Sequence, residues 1–475
     1  MEFLLSKKTR DIETVIYLIL FFTYLLFNRI VPITYIFDPI NGLLFSAFAG
    51  FGCLLILQDV LTDRYLFKVR FSWVLCLFLG VLTISNIINI QYGWMDNVKT
   101  MVWFCIHFFV IYTLSYRIKT ENNKKIIYTI LFFSEMIFLV FVIVSIIQYS
   151  LQVKYLVPIH EGIYKCQGFY NNRLFGVFSD PNSAAIIVCW FICFNFNILK
   201  KFKIKTYKFL LIMLNVIFYI FIVLSGSRSV QLILFLIILF YMGICYFKKK
   251  HSKKSLFKFI IKITLTLFLF FPVFNCSKIC LSYIPVLIRE SGISSLSTPY
   301  DTNEQFVQEL HNSKNRLNRP EIANGNFFTN RIEIWTGYLT SLKSGKWLFG
   351  LSPRNAISYI EEHYPDNYIA ESGFIAHSDY LAIIAYTGLA GFAVFVLLAI
   401  LILQYVFKKI HVKKKLDDFY VMSLLIVFSI LVYGLSYRDI LFCNTFTGFV
   451  FWLFMSYILN VKDDGIYEED STPSV

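Results

Sequence analysis

Residues 117–149 read RIKTENNKKIIYTILFFSEMIFLVFVIVSIIQY, and this stretch decides the fold class of the chain. A cluster of basic residues comes first, followed by an apolar run over 125–149 whose one acidic residue is Glu135. A helix of about 20 apolar residues crosses a hydrocarbon core of about 30 Å, and in lipid the backbone must satisfy its own hydrogen bonds. The stretch therefore predicts a membrane-spanning helix.

The same pattern recurs along all 475 residues, of which 57% are hydrophobic and 16% charged. Soluble domains contain about 45–50% apolar and about 25% charged residues, so the composition favours lipid as the solvent. The predicted spans are 12–31, 40–58, 71–91, 99–117, 125–149, 180–199, 207–225, 228–247, 257–275, 378–404, 419–437 and 440–460. The sequence thus predicts an all-α polytopic membrane protein with about twelve transmembrane helices.

Basic residues gather in alternate loops, such as KKFKIKTYK at 200–208 and KKKHSKKSLFK at 248–258. By the positive-inside rule both termini are cytoplasmic. This distribution explains the net charge of +14 without a nucleic-acid partner. The organisation expected is nine spans in 1–275, a large extracytoplasmic loop at 276–376, three spans in 377–460 and an acidic cytoplasmic tail at 461–475.

The large loop contains two stretches with a helical pattern, 303–318 and 331–343, and a second outward loop covers about 150–179. Loops held by a rigid scaffold often contain the functional residues. We therefore expect the functional site on this outward side.

Arg228 lies in LSGSRSV at 224–230, a tight turn between two apolar spans. An arginine near hydrocarbon is costly and usually has a partner. One interpretation is a phosphate or pyrophosphate group, which the guanidinium matches with two hydrogen bonds. The other is an arginine that reaches ordinary lipid phosphates, and position alone favours neither.

Arg331 lies in TNRIEIWTGYL at 329–339, where it starts a helix in the large loop. It is a second candidate for an anionic ligand, although, taken alone, it somewhat favours a structural contact with Glu333 or an aromatic side chain in a folded loop. Further candidates for substrate binding on the same side are Arg173, Arg354 and Asp379, with Arg316 and Arg319 as weaker ones.

His377 lies in FIAHSDYLAIIAYTGLAGF at 374–392, where the large loop returns to the membrane. Ser378 or Asp379 can begin the helix that follows. Histidine titrates near neutral pH and can remove a proton from a sugar hydroxyl. A lone histidine is more often structural, but this one lies at the membrane surface opposite several cations.

Other motifs exclude some chemistry. Cys276 and Cys280 show no metal-type spacing with histidine, and the chain has no phosphate-binding loop with lysine, no HExxH and no DxD pair on the outer loops. We therefore expect no metal and no cofactor. Glu135, in mid-span, is either functional or a protonated, hydrogen-bonded carboxyl group.

Five motifs occur in a fixed order: GVFSDPN, SGSR, RIEIWTGYL, LFGLSP and AHSDYLAIIAYTGLAG. Together with the topology, they make the chain resemble the superfamily of O-antigen ligases and Wzy-type polysaccharide polymerases over about 165–405. The resemblance implies a GT-C-like fold in the bacterial cytoplasmic (inner) membrane, with the active site on the extracytoplasmic face.

The resemblance also implies a substrate, an undecaprenyl-pyrophosphate-linked oligosaccharide that serves as donor and as acceptor. Arg228 and Arg331 would hold the pyrophosphate, and His377 would be the catalytic base. The family often shows His-Asn where this chain has His377-Ser378-Asp379. Whether Asp379 orients His377 therefore stays open.

We expect a metal-independent polysaccharide polymerase, because the chain is rich in Ile, Phe, Tyr, Lys and Asn, as such polymerases are. A ligase that transfers the glycan to another surface acceptor would use the same residues. A transporter or flippase of lipid-linked oligosaccharides is the alternative from a different class, although no internal repeat is visible. Membrane lipids and a chain-length regulator protein are the further expected partners.

Overall fold

The computed structural model describes residues 7–160, 163–247, 253–290, 331–343, 345–412 and 416–461. Its helices over the first half of the chain are α1 Lys7–Phe27, α2 Val31–Leu61, α3 Tyr65–Lys68, α4 Ser72–Ile88, α5 Trp94–Ile106, α6 Leu114–Arg117, α7 Thr120–Ser150, α8 Pro181–Leu199, α9 Lys205–Leu224 and α10 Arg228–Phe247. The second half contains α11 Lys253–Ser282, α12 Ile284–Glu290, α13 Arg331–Ser341, α14 Ala356–His363, α15 Tyr368–Ser372, α16 Asp379–Val412, α17 Asp418–Tyr433 and α18 Phe446–Asn460. A 3₁₀ turn at Ile90–Tyr92 precedes α5, and a π-helical turn at His107–Ile111 follows it.

Eight helices within the described ranges are long and apolar enough to cross a membrane. Three shorter apolar helices, α4, α17 and α18, complete the set. Together with α1, these helices overlap the predicted spans one by one, and the prediction of an all-α polytopic membrane protein is confirmed. The predicted helix at 331–343 is present as α13, whereas 303–318 lies outside the described residues.

The centre of the bundle is formed by α8, α17 and α18. In α8, 78% of the residues in the apolar window are buried, compared with 11% in α2 and none in α11. The Trp190 indole of α8 donates a hydrogen bond to Ser429 Oγ of α17 at 2.8 Å. Thus α2 and α11 lie at the periphery, where their apolar side chains are available to lipid.

A three-stranded antiparallel sheet, which the sequence did not predict, occupies the loop between α7 and α8. Its strands are β1 Lys154–His160, β2 Ile163–Tyr170 and β3 Arg173–Gly176, in the order β1-β2-β3. Asn171 and Asn172 join β2 to β3 with φ of 48° and 56°. Two left-handed residues match the twist of a tight hairpin, and asparagine tolerates that conformation. The hairpin places Arg173 at the start of β3.

The long helix α16 is broken at Gly388, which has φ 65° and ψ −166°. At the break, Leu389 N and Ala390 N donate to the backbone oxygens of Trp347 and Leu348 at 2.9 and 3.0 Å. A Cβ on Gly388 would lie 2.3 Å from the Leu348 oxygen. The 347–352 segment therefore satisfies the backbone groups that the break exposes, as interrupted membrane helices require.

The last two spans are shorter than the sequence predicted. They were expected at 419–437 and 440–460, but α17 ends at Tyr433 and α18 begins at Phe446. Residues 434–445 between them are not helical. We call this segment the 434–445 loop, and it contributes directly to the site.

Candidate functional site

His377 lies immediately before α16, at the point where the chain enters the bundle. Ser378 next to it is buried, and its hydroxyl donates to the Gly434 carbonyl at 3.1 Å. Asp379 N donates to the carbonyl oxygens of Gly434 and Tyr437 at 2.9 and 3.1 Å. The half-buried imidazole is packed beside the Phe374 ring at 5.9 Å between ring centres. The two residues that follow His377 are therefore fixed to the 434–445 loop.

Two arginines from different parts of the fold lie near His377. Burial lowers the pKa of the His377 imidazole, and the charges of Arg331 and Arg438 lower it further, against a smaller opposing effect of Asp180. An imidazole with a pKa below its usual value of about 6.5 is neutral at physiological pH. His377 is thus a neutral imidazole with two cations nearby.

Arg331 is the first residue of α13, whose position is fixed by buried contacts. Tyr338 Oη in α13 donates to the Phe374 carbonyl at 3.0 Å. Asn367 Nδ2 donates to the Gly337 carbonyl at 3.0 Å. A side chain at Gly337 would clash with Asn367 Oδ1 at 2.7 Å, so this glycine permits the close approach. These contacts hold the start of α13 over His377.

Arg438 is held by Tyr386 of α16, whose hydroxyl accepts a hydrogen bond from Nη1 at 2.7 Å. The Tyr386 ring also packs against Tyr338 of α13 at 6.2 Å. Arg438 Nε is buried and has no hydrogen-bond partner among the described residues. This guanidinium therefore has an unused donor close to His377.

Asp379 is buried, and its carboxylate holds the 434–445 loop. It accepts hydrogen bonds from the backbone nitrogens of Asp439, Ile440 and Leu441 at 3.1–3.3 Å. Backbone hydrogen bonds to a carboxylate are stronger than those to a neutral acceptor. The structure thus places Asp379 behind the site, where it fixes the loop that contains Arg438.

The DPN motif at 180–182 begins α8 and joins two further elements. Asp180 Oδ2 accepts from Ser183 N at 2.9 Å, which confirms it as the helix cap. Asn182 Oδ1 accepts from Arg173 Nη2 at 2.7 Å, while its Nδ2 donates to the Tyr437 hydroxyl. Asn182 therefore links the β-hairpin to the 434–445 loop.

The SGSR turn between α9 and α10 packs on the other side of this link. Arg173 Nε donates to the Ser225 carbonyl at 3.0 Å, and Ser436 Oγ donates to Ser229 Oγ at 3.0 Å. Arg228 itself lies close to Lys278 of α11. Two cations from neighbouring helices therefore meet at the N-terminus of α10, where the helix dipole also favours an anion.

A second row of charges lies beneath the loop. Arg29 pairs with Asp439 at 3.3 Å, and burial lowers the pKa of Lys165 in β2, with Arg29 lowering it further. Cations held near one another raise the local positive potential. Arg29 and Lys165 therefore add positive charge at the end of the bundle that contains His377, where Asp439 and Asp180 offset part of it.

Arg354 lies elsewhere, on the wall of a separate cavity of about 570 Å³. Its backbone nitrogen donates to Asn97 Oδ1 at 3.0 Å, and its Nε donates to Thr100 Oγ1 at 3.4 Å. The 434–445 loop also lines this cavity, through residues 441–444. Arg354 thus lines a cavity whose wall does not include His377.

Of the predicted site residues, the structure brings His377, Arg331 and Arg173 together around Tyr437 and Asp180. Arg228 lies next to this group through the SGSR turn, whereas Arg354 lines the separate cavity. Asp379 lies beneath the 434–445 loop, and Arg316 and Arg319 lie outside the described residues. Direct roles in binding or catalysis for these residues stay predictions.

Sequence reasoning missed four residues: Arg29, Asn182, Tyr437 and Arg438. Arg438 and Asp439 stand in SYRD, between two apolar runs. A charged pair at that place is the signal that could have marked the 434–445 loop as part of the site. The sequence prediction joined the last two spans by a tight link, so this loop was not recognised.

A cation pair beside a neutral imidazole can bind an anionic ester and activate a hydroxyl group. Guanidinium groups stabilise negative charge on phosphate oxygens, and the imidazole can accept the proton of an attacking hydroxyl. The described geometry therefore suits group transfer from a phosphate leaving group.

The family of O-antigen ligases matches the chain over residues 209–396. The match confirms the resemblance predicted from the ordered motifs, and it supports a glycan transferase of the O-antigen ligase and Wzy-like class. The matched segment includes Arg228, Arg331 and His377 but ends before Arg438. A comparison with curated proteins gives no significant match.

Proposed function

We propose that the chain is a polysaccharide polymerase at the outer face of the bacterial cytoplasmic membrane. It transfers a growing glycan from undecaprenyl pyrophosphate onto the non-reducing end of a lipid-linked repeat unit. The observation that supports this most directly is the position of His377, whose pKa is lowered by burial and by Arg331 and Arg438. A base and two cations are the groups that this reaction requires.

In the proposed step, a hydroxyl oxygen of the acceptor attacks the anomeric carbon of the donor sugar. The bond between that carbon and the pyrophosphate oxygen breaks, and the electron pair leaves with the undecaprenyl pyrophosphate. His377 takes the hydroxyl proton, a contribution typically of about 10²–10⁴-fold. Arg331 and Arg438 stabilise the charge that grows on the leaving oxygen.

The remaining residues position these groups. Arg173 is bound to Ser225 and Asn182, so it holds the hairpin, α8 and the SGSR turn in register. Asp379 holds the backbone of the 434–445 loop. Arg228 and Lys278 supply a cationic patch at the start of α10, where the distal phosphate can bind.

An apolar cavity between the helices can accommodate part of the donor's lipid tail. An apolar cavity of about 220 Å³ lies between α4, α16, α17 and α18 and is lined by Phe78, Ile383 and Trp452. It extends to Asp379 and Leu441 at the base of the 434–445 loop. An isoprenoid chain in this cavity would bring its headgroup toward the loop that contains Arg438.

A ligase is the second candidate, and the family match at 209–396 favours it because that family is described by ligase activity. It would use the same donor and the same base, with another surface molecule as acceptor. Purified protein in liposomes should be given lipid-linked repeat units without nucleotide. Longer lipid-linked glycans support the polymerase, whereas transfer only when a different surface acceptor is added supports the ligase.

A further inference from the structure

A cavity of about 570 Å³ at Arg354 is not used by the mechanism above. It lies between α2 and α5 and is closed on one side by residues 441–444 of the 434–445 loop. The same loop carries Tyr437 and Arg438 toward His377. The loop therefore lines this cavity with residues 441–444, while Arg438 of the same loop lies near the proposed base.

The lining of this cavity is divided into a polar and an apolar part. Asp96, Lys99, Thr100 and Arg354 form the polar part, and the Lys99–Asp96 pair is 2.9 Å apart. The Arg354 guanidinium therefore leaves one positive charge in excess among these side chains. The apolar part contains aromatic side chains of α2, α5 and the loop, namely Phe45, Trp103 and Phe442.

Asn444 adds a polar residue to the wall formed by the loop. It lines the cavity beside His107, with which its side chain interacts. The excess cation and the aromatic surfaces of the lining together match a phosphorylated sugar attached to an apolar tail.

We propose that this cavity binds the pyrophosphate and first sugars of the second lipid-linked substrate, the acceptor repeat unit. The inference rests on the proposed function, because transfer between two lipid-linked glycans requires two headgroup sites. Ligand pockets commonly enclose about 300–1,000 Å³, so the cavity fits the headgroup of one repeat unit rather than a long polymer. The non-reducing end of the acceptor glycan then extends past the 434–445 loop to His377.

Two alanines on α2 provide a matched pair of variants. Ala49 lines the cavity, whereas Ala47 is exposed on another face of the same helix. Ala49→Phe should fill the cavity, and Ala47→Phe adds the same side chain toward lipid. Arg354→Gln removes the excess charge and leaves a shorter, neutral polar side chain in the wall.

The experiment counts bound ligands by native mass spectrometry of the protein titrated with undecaprenyl-pyrophosphate-linked repeat units. We expect two ligands on the native protein and on Ala47→Phe, one on Ala49→Phe, and about tenfold weaker binding of the second ligand to Arg354→Gln. The single ligand retained by Ala49→Phe would show that this variant is folded. Two ligands bound equally by Ala49→Phe would overturn the inference.

The outcome is separate from that of the polymerase proposal. If the native protein binds two ligands but extends none, the proposed function fails and the second site stands. If it extends glycans while binding one ligand, or if Arg354→Gln has no effect on binding, the second site fails and the function stands.

Discussion

Arg438 donates a hydrogen bond to the Tyr386 hydroxyl at 2.7 Å, which joins the loop between the last two spans to the helix that follows His377. This contact fixes the partly buried Arg438 side chain near His377, where we propose that the leaving group binds. We expect Arg438→Ala to lower the rate of glycan extension by about 10²–10³-fold, because a positioned donor for the developing charge is lost. Arg438→Lys should retain part of the activity, since it keeps the charge without the planar fork.

Tyr386→Phe is the companion change, because it removes the acceptor and leaves Arg438 in place. The rate of glycan extension should be measured for Arg438→Ala, Arg438→Lys and Tyr386→Phe. We expect Tyr386→Phe to extend glycans faster than Arg438→Ala. Full activity in Arg438→Ala, with protein that inserts normally, would remove Arg438 from the mechanism.

The second prediction concerns pH. Burial and the charges of Arg331 and Arg438 lower the pKa of His377, so the rate should fall only when the pH drops below about 6.5. Arg331→Gln removes one of these charges, so the pKa rises and the acidic limb of the pH–rate profile moves to higher pH. Arg331→Lys keeps the charge and should leave that limb in place. A limb that stays unmoved in Arg331→Gln would show that another group titrates.

The third prediction concerns Asp379 and the loop that it holds. Asp379→Asn replaces a carboxylate that accepts three backbone hydrogen bonds with an amide that has one acceptor oxygen. Hydrogen bonds to charged groups contribute about 1.5–3 kcal/mol, so we expect a lower melting temperature and reduced extension. Asp418→Asn is the control, because its pair with Lys200 is half exposed and contributes little. Equal melting temperatures for the two variants would contradict the role assigned to Asp379.

The fourth prediction tests the break in α16. Gly388→Ala places a Cβ 2.3 Å from the Leu348 oxygen at a φ of +65°. The backbone strain alone costs about 1–3 kcal/mol, so the variant should unfold at lower temperature. Gly243→Ala in α10 is the matched control, since its Cβ meets nothing within 4 Å. If the two variants have the same melting temperature, the 347–352 segment does not pack on α16 as described.

Most of the bundle could be predicted from sequence, because an apolar segment long enough to cross the membrane is stable in lipid as a helix. The run at 125–149 is α7, and the helix cap at Asp180 follows from residue type alone. The sheet at 154–176 could not be predicted in this way, since its strands lack a strong alternating pattern of apolar and polar residues. It is stabilised by contacts with distant elements, such as Arg173 with Ser225.

The site was predictable in part, for a related reason. Arg228, Arg331 and His377 stand out because charge near a membrane surface is unusual. Arg438 and Tyr437 were hidden, because the apolar residues on both sides of SYRD made the last two spans look continuous. That Arg354 lines a cavity together with residues 441–444, and without His377, depends on the path of the 434–445 loop, which no local pattern indicates.

The central claim is that His377 is the base for glycan transfer. The most direct measurement is extension of lipid-linked repeat units by purified protein in liposomes without nucleotide, comparing the native protein, His377→Ala and His363→Ala. His363 is exposed and stacks on Tyr359 at 4.2 Å, so it controls for the loss of a histidine in the same region. We predict extension by the native protein and by His363→Ala, and a loss of about 10²-fold or more in His377→Ala. Full extension by a correctly inserted His377→Ala protein would contradict the claim.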